Sequence, residues 1–218
     1  MAIDLQYELT ALRRTILTMG AEVESRINLA IMALVENNAE AAEIVRSGDD
    51  VVDAMEIEIE QECLQILALS HPVAGDLRFV LAVMRINSEF ERIADMARGV
   101  AKRSLDLQRH DPMPLPNIIV EMATQAQSMF SRALAALTDG DAIAAQRVRQ
   151  SDQRVDDLQR EVFSWVQEQI PAHVECTESA IAILSVARKF ERIADVSTNI
   201  AEDIIFLTEG SLVRHLNQ

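Results

Sequence analysis

The residues that could do chemistry in this chain are carboxylates, and they come in pairs. Phe90-Glu91-Arg92-Ile93-Ala94-Asp95 recurs letter for letter as Phe190-Glu191-Arg192-Ile193-Ala194-Asp195. In each copy a Glu precedes an Asp by four positions. On a helix that spacing sets both carboxylates on one face, with Cβ atoms about 5–6 Å apart. Like charges so placed weaken an isolated helix, so a positive species between them would relieve the strain. A second acidic pair accompanies each copy, Asp49-x-x-x-Asp53 and Asp152-x-x-x-Asp156. If each second pair opens a helix antiparallel to the one holding the hexapeptide, four carboxylates converge in each half. Close carboxylates take up protons or draw in a cation, and a hard or borderline metal ion satisfies them with oxygen ligands.

The candidate metal ligands are therefore Asp49, Asp53, Glu91 and Asp95 in the first half, and Asp152, Asp156, Glu191 and Asp195 in the second. No His or Cys stands in any of these pairs. That argues against a structural zinc site and against the Glu-x-x-His pattern of di-iron bundles. Magnesium, manganese, calcium or a carboxylate-rich iron cluster fit the donors. The competing reading is a ladder of ion pairs on a solvated face. Arg188, Glu191, Arg192 and Asp195 stand at spacings of three and four, and Arg92 and Arg98 flank Asp95. The halves also differ here: Asn199 and Asp203 continue the Asp195 face, where the first half has Gly99 and Arg103.

Other chemistry is sparse. His71, His110, His173 and His215 lie near expected loops or termini and read as surface or capping residues. Asp76-Leu77-Arg78 opens a helix and has no counterpart in the second half, so it reads as helix-start chemistry or a contact specific to one half. Trp165 reads as a core or subunit-contact residue. No Gly-rich phosphate loop, GxSxG, HExxH or CxxC is present, and no enzymatic activity is expected. A net charge of −15 with no run of Lys or Arg disfavours nucleic acid and anionic membrane as direct partners. Cys63 and Cys176 read as free thiols in a reducing compartment. No apolar run approaches the roughly 18 residues of a spanning helix. Met1 to Met19 carries Asp4, Glu8, Arg13 and Arg14, unlike a signal peptide. A cytoplasmic protein without membrane insertion is expected.

The elements that must position the acids are long helices. Apolar residues recur at helical spacing from Leu5 to Val35, and Asn37-Asn38 breaks that run. A short helix over Ala39–Arg46 follows, then one from Asp49 or Asp50 to about Ser70, closed by His71-Pro72. The next runs from about Val73 to Leu107. Pro112, Pro114 and Pro116 mark a linker over 109–116. The plan then repeats: about Asn117–Leu137, a short helix capped by Asp141, a helix from Ser151-Asp152 to about Ile170 that Pro171 is expected to end, and a last one from about Thr177 to Leu207, stopped by Glu209-Gly210. A shift of 103 pairs Ala39 with Ala142, Arg46 with Arg149, Asp49 with Asp152 and Asp53 with Asp156; a shift of 100 pairs the hexapeptides. The fold expected is all-α: two tandem three-helix bundles of long antiparallel helices, over 1–108 and 117–210, related by duplication and a pseudo-twofold.

The doubled ERIAD hexads and the Asp-x-x-x-Asp pairs resemble the PhoU family of phosphate-transport regulators. So do Asp76-Leu77-Arg78 and the closing Asn199-Ile200-Ala201-Glu202-Asp203-Ile204-Ile205 run. The resemblance extends from about Leu5 to Gly210. It implies metal binding through the eight acids named above, by divalent or trivalent ions such as iron, manganese, magnesium or zinc. It also implies a cytoplasmic, dimeric negative regulator of the phosphate-starvation response, linking the phosphate ABC transporter to its sensor histidine kinase. From the residues alone two alternatives stay open: a carboxylate-bridged metal phosphohydrolase, and a purely structural helical dimer.

Overall fold

A computed structural model describes residues 5–109 and 113–211, apart from the side chain of Asp49. Among the described residues eight α-helices carry the chain: α1 (Leu5–Val35), α2 (Ala39–Ser47), α3 (Asp49–Ser70), α4 (Ala74–Leu107), α5 (Asn117–Asp139), α6 (Ala142–Arg149), α7 (Asp152–Ala172) and α8 (Thr177–Glu209). A 3₁₀ turn, Val174–Cys176, joins the last two. Linker residues 110–112 lie outside the described part, and 113–116 are irregular.

Helix ends follow local chemistry. Asn38 accepts from the Ala41 N–H and so caps α2; Asp141 accepts from the Ile143 and Ala144 N–H groups and caps α6. Gly140 (φ 66°) and Gly210 (φ 73°) close α5 and α8 in the left-handed region that glycine enters without strain. His71 closes α3 at φ 44° without that freedom. Pro171 does not end α7. The helix runs through it to Ala172, because a proline in the final turn removes only one late hydrogen bond, and the His173 N–H still reaches the Gln169 carbonyl at 2.8 Å. Asp141→Ala removes a two-bond cap and should cost about 1 kcal/mol, read as a lower denaturation midpoint with an unchanged slope.

The duplication is visible in what is buried. In α1 the buried set includes Ile16, Met19, Val23, Arg26, Ile27, Ala30, Ala33 and Leu34. In α5 the set includes Ile119, Met122, Ala126, Met129, Phe130, Ala133, Ala136 and Leu137 at the same offsets. Only one pair breaks the chemistry: a buried guanidinium, Arg26, stands where the second half has Met129. Within each half the long helices pack as an antiparallel three-helix bundle, α1 with α3 and α4, and α5 with α7 and α8.

α4 and α8 form the spine between the halves. Arg78 lies against Gly210, Arg85 donates to Asp203 at 3.3 Å, Asn199 donates to Glu89 at 3.4 Å, and Lys189 lies against Gly99. One residue number rises as its partner falls, so the helices run antiparallel. The same register places Ala94 opposite Ala194, equivalent residues of the two hexapeptides. The pseudo-twofold thus passes through the repeated motif itself. Both alanines are buried, and their small side chains let two helices of about 50 Å approach closely. Phe130 of α5 reaches Phe90 of α4 edge-on, ring centres 5.6 Å apart, which adds an aromatic contact between the halves.

Candidate metal centre

In the second half the acids meet. Asp152 opens α7 and Asp156 follows one turn later. Val155 and Leu158 on the same helix are buried against the bundle, which fixes the rotation of α7. Asp195 projects from the middle of α8, where Ile193 and Ala194 face inward. Each of the three carboxylates offers one oxygen, and these oxygens lie within 4.8 Å of one another. Among the described residues no other trio of His, Cys, Asp or Glu does so.

The electrostatics match the geometry. Burial, then Asp195, Asp156 and Glu191, push Asp152 up to about 6. Glu191 is raised by burial, by Asp195 and by Asp156, with Arg192 and Arg188 pulling the other way. Asp195 is raised by burial and Asp156 against Arg192. Arg192 and Arg188 of the expected ladder therefore act on these acids through space but do not offset the repulsion. One oxygen of Asp152 is buried and has no hydrogen-bond partner. An orphaned, buried carboxylate oxygen facing two further carboxylates fits a cation that prefers oxygen ligands. Asp152, Asp156 and Asp195 are the residues that would hold it, with Glu191 adjoining. The ion would neutralise this charge.

The first half has a different balance. Asp95, exposed as its equivalent Asp195 is, accepts from Arg98 at 2.5 Å. Asp53 is exposed and Glu91 half-buried. Asp49 is the first residue of α3, and its side chain lies outside the described residues. Arg26, 6% exposed, takes Glu22 at 3.0 Å and donates to the Gly48 carbonyl, where the chain turns into α3. Two cations that the second half lacks thus attend this region, since Met129 and Thr198 stand at the positions equivalent to Arg26 and Arg98. Composition gave no hint of Arg26. The signal was positional: an arginine inside an otherwise apolar helical stripe.

The remaining candidates play lesser parts. His71 and His173 cap helix ends, His173 with Nδ1 3.6 Å from Glu175, and His110 and His215 lie outside the described residues. Trp165 is partly buried against the core. The thiols are unbridged, and burial pushes Cys63 up to about 12, which leaves it unreactive. The Asp76-Leu77-Arg78 triplet is a contact of one half with the other: Arg78 packs on Gly210 beyond α8.

A family model described as the PhoU domain matches twice, over residues 16–104 and 119–204. The chain belongs to the PhoU family. The starts of the two matches differ by 103 residues and the ends by 100, the same two shifts that superpose the helices. PhoU relatives cover nearly the whole chain. The phosphate-specific transport system accessory protein PhoU homolog of Pseudomonas aeruginosa is 35% identical over 213 residues, 96% of this chain and 87% of that protein. The homolog of the same name from Aquifex aeolicus is 35% identical over 95% of this chain and 94% of its own. The crystal structure of PhoU from Pseudomonas aeruginosa superposes with a TM-score of 0.92 at 32% identity, covering 95% of this chain and all of that one. The tandem all-α PhoU architecture is thereby established for this chain. No helix among the described residues is long and apolar enough to cross a membrane.

Proposed function

We infer that this chain is a negative regulator of phosphate uptake and of the phosphate-starvation response. It acts as a metal-dependent adaptor, without catalysis of its own, in the cytoplasm. Its partners are the phosphate ABC transporter and that system's sensor histidine kinase, and it works as a homodimer. Relatives named as accessory proteins of a phosphate-specific transport system support the pathway. The observation that carries the metal dependence is the trio Asp152, Asp156 and Asp195, three close carboxylates with an orphaned oxygen. The ligand set is the eight acids Asp49, Asp53, Glu91, Asp95, Asp152, Asp156, Glu191 and Asp195, with the second-half four binding more tightly. Iron, manganese, magnesium or zinc would serve. The ion braces α7 against α8, so its loss alters the surface that the partners meet.

The test pairs metal content with signalling. In cells lacking the gene, the intact protein should restore repression of a starvation-induced reporter in phosphate-rich medium. Asp152→Asn with Asp195→Asn should lose one site's worth of metal by elemental analysis and lose repression with it. Full repression by a metal-free variant would refute the metal's regulatory role. Turnover of p-nitrophenyl phosphate by the loaded protein, abolished by Asp195→Asn, would instead favour a phosphohydrolase.

A further inference from the structure

The repeat predicts equivalent flanks on the two sides of the spine, but their residues differ in charge. In the first half a groove of about 710 Å³ opens between α2, α4 and α8, with cations converging from all three: Arg46, Arg98, Lys102, Arg109 and Lys189. Its acids are Glu43, Asp95 and Asp106. Each acid is already engaged: Glu43 with Arg46 at 2.6 Å, Asp95 with Arg98 at 2.5 Å, and Asp106 with Arg103 at 2.9 Å. Among the described residues, Lys102 and Lys189 have no carboxylate within ion-pairing distance. At the pseudo-twofold equivalents most of the charges change, although Arg46 keeps its sign as Arg149. Lys102 becomes Glu202, Arg103 becomes Asp203, Arg109 becomes Glu209, and Lys189 becomes Glu89, while Arg98 becomes Thr198. In a chain with net charge −15, this groove is a local excess of positive charge that the linear sequence does not reveal.

Lys189 is the centre of it. Its ammonium reaches across the spine to Gly99 and sits 2.5 Å from where a Cβ at that position would stand. The backbone of α4 approaches it only because residue 99 has no side chain. Arg103, Arg192 and Lys102 crowd this ammonium, and Asp95 is the one acid that opposes them. Such crowding is relieved by an anion.

We propose that this groove binds a multiply charged tetrahedral oxyanion, a phosphoryl group, with Lys102, Arg109 and Lys189 supplying charge. Concavity favours a small ligand over a flat protein surface, and the volume falls within the roughly 300–1,000 Å³ of small-molecule sites. At least two charges are needed because the whole molecule repels anions. The groove is distinct from the carboxylate trio of the second half, so the metal reading of that trio stands or falls separately; Asp95, which lines the groove, is already held by Arg98.

The experiment is calorimetric titration of the intact protein with inorganic phosphate, pyrophosphate and ATP in turn, each against sodium chloride of equal ionic strength. Saturable binding of at least one phosphoryl anion, weakened tenfold or more by Lys102→Gln with Lys189→Gln, is the expected result. The arm that binds most tightly separates an inorganic ligand from a nucleotide's polyphosphate. Gly99→Ala should also weaken binding, since its methyl would displace Lys189. Lys102 is exposed, so Lys102→Gln alone is the variant that keeps the fold beyond question; circular dichroism checks the others. Absence of binding in every arm, or binding equal in all lysine variants, would overturn the proposal. Equal binding would mean that the anion sits elsewhere, for example on a metal at the carboxylate trio.

Discussion

Replacing Phe130 by Ala lowers stability by about 4 kcal/mol, the usual cost of deleting a fully buried aromatic ring. Phe130 has no exposed surface and touches Phe90 edge-on, so the truncation strips packing from α5 and from the spine helix of the opposite half together. Domains of this kind hold about 5–15 kcal/mol in all. A loss of that size should lower Tm by about 10 °C for a chain of this length. Thermal and denaturant unfolding check it. Phe130→Leu keeps most of the volume and should cost less than half as much. A single transition that falls for the whole molecule is expected, because the ring couples the halves. Two separated transitions, or a loss below about 1 kcal/mol, would show that the halves are held by other contacts.

Metal-free protein should become more stable as pH falls from 7 to 5. Asp152 has a folded pKa raised to about 6, above its unfolded value of about 3.9. In this window the folded state binds more protons than the unfolded state, so stability falls as pH rises and the full penalty is present above pH 6. Glu191 and Asp195 are raised as well and act in the same direction. The uncorrected shift would be worth roughly 3 kcal/mol; with solvent screening at a part-exposed site, about 1–2 kcal/mol is expected for Asp152. Asp152→Asn should recover that amount at pH 7 in metal-free protein and flatten the profile. Metal should reverse the order: the loaded wild type gains stability above pH 6, where protons no longer compete for the ligands, and the variant gains less. An identical pH slope in wild type and Asp152→Asn would remove this carboxylate from the account.

The fold was largely legible because each of its rules is local. Hydrophobic period gave the long helices, Asn38, Asp141 and Gly210 gave their ends, and the doubled hexapeptide gave the duplication. Pro171 was misread because a proline in a last turn costs little. At the site, spacing along one helix revealed each acid pair, and the repeat revealed that pairs belong together. What spacing could not reveal was compensation from other helices. Arg26 reaches Gly48 from α1, and Lys189 reaches Gly99 across the spine. These contacts depend on the register of α4 against α8 and on packing within each bundle, which periodicity within one helix does not encode. For that reason the two halves look equal in their motifs and unequal in their surroundings.

The axis through Ala94 and Ala194 carries a lesson about ancestry. Two identical units packed about such an axis would make a homodimer in which every substitution appears twice, once on each side. A cation gained beside one cluster would be gained beside both, and one flank could never be basic while the other carried acids at the same positions. Fusion into one chain lifts that restriction. Arg98 could arise without an arginine at Thr198, and Lys189 could differ in sign from Glu89, while the shared spine stayed as it was. Covalent linkage thus bought this protein a freedom to specialise its two flanks that no symmetric pair of subunits can have.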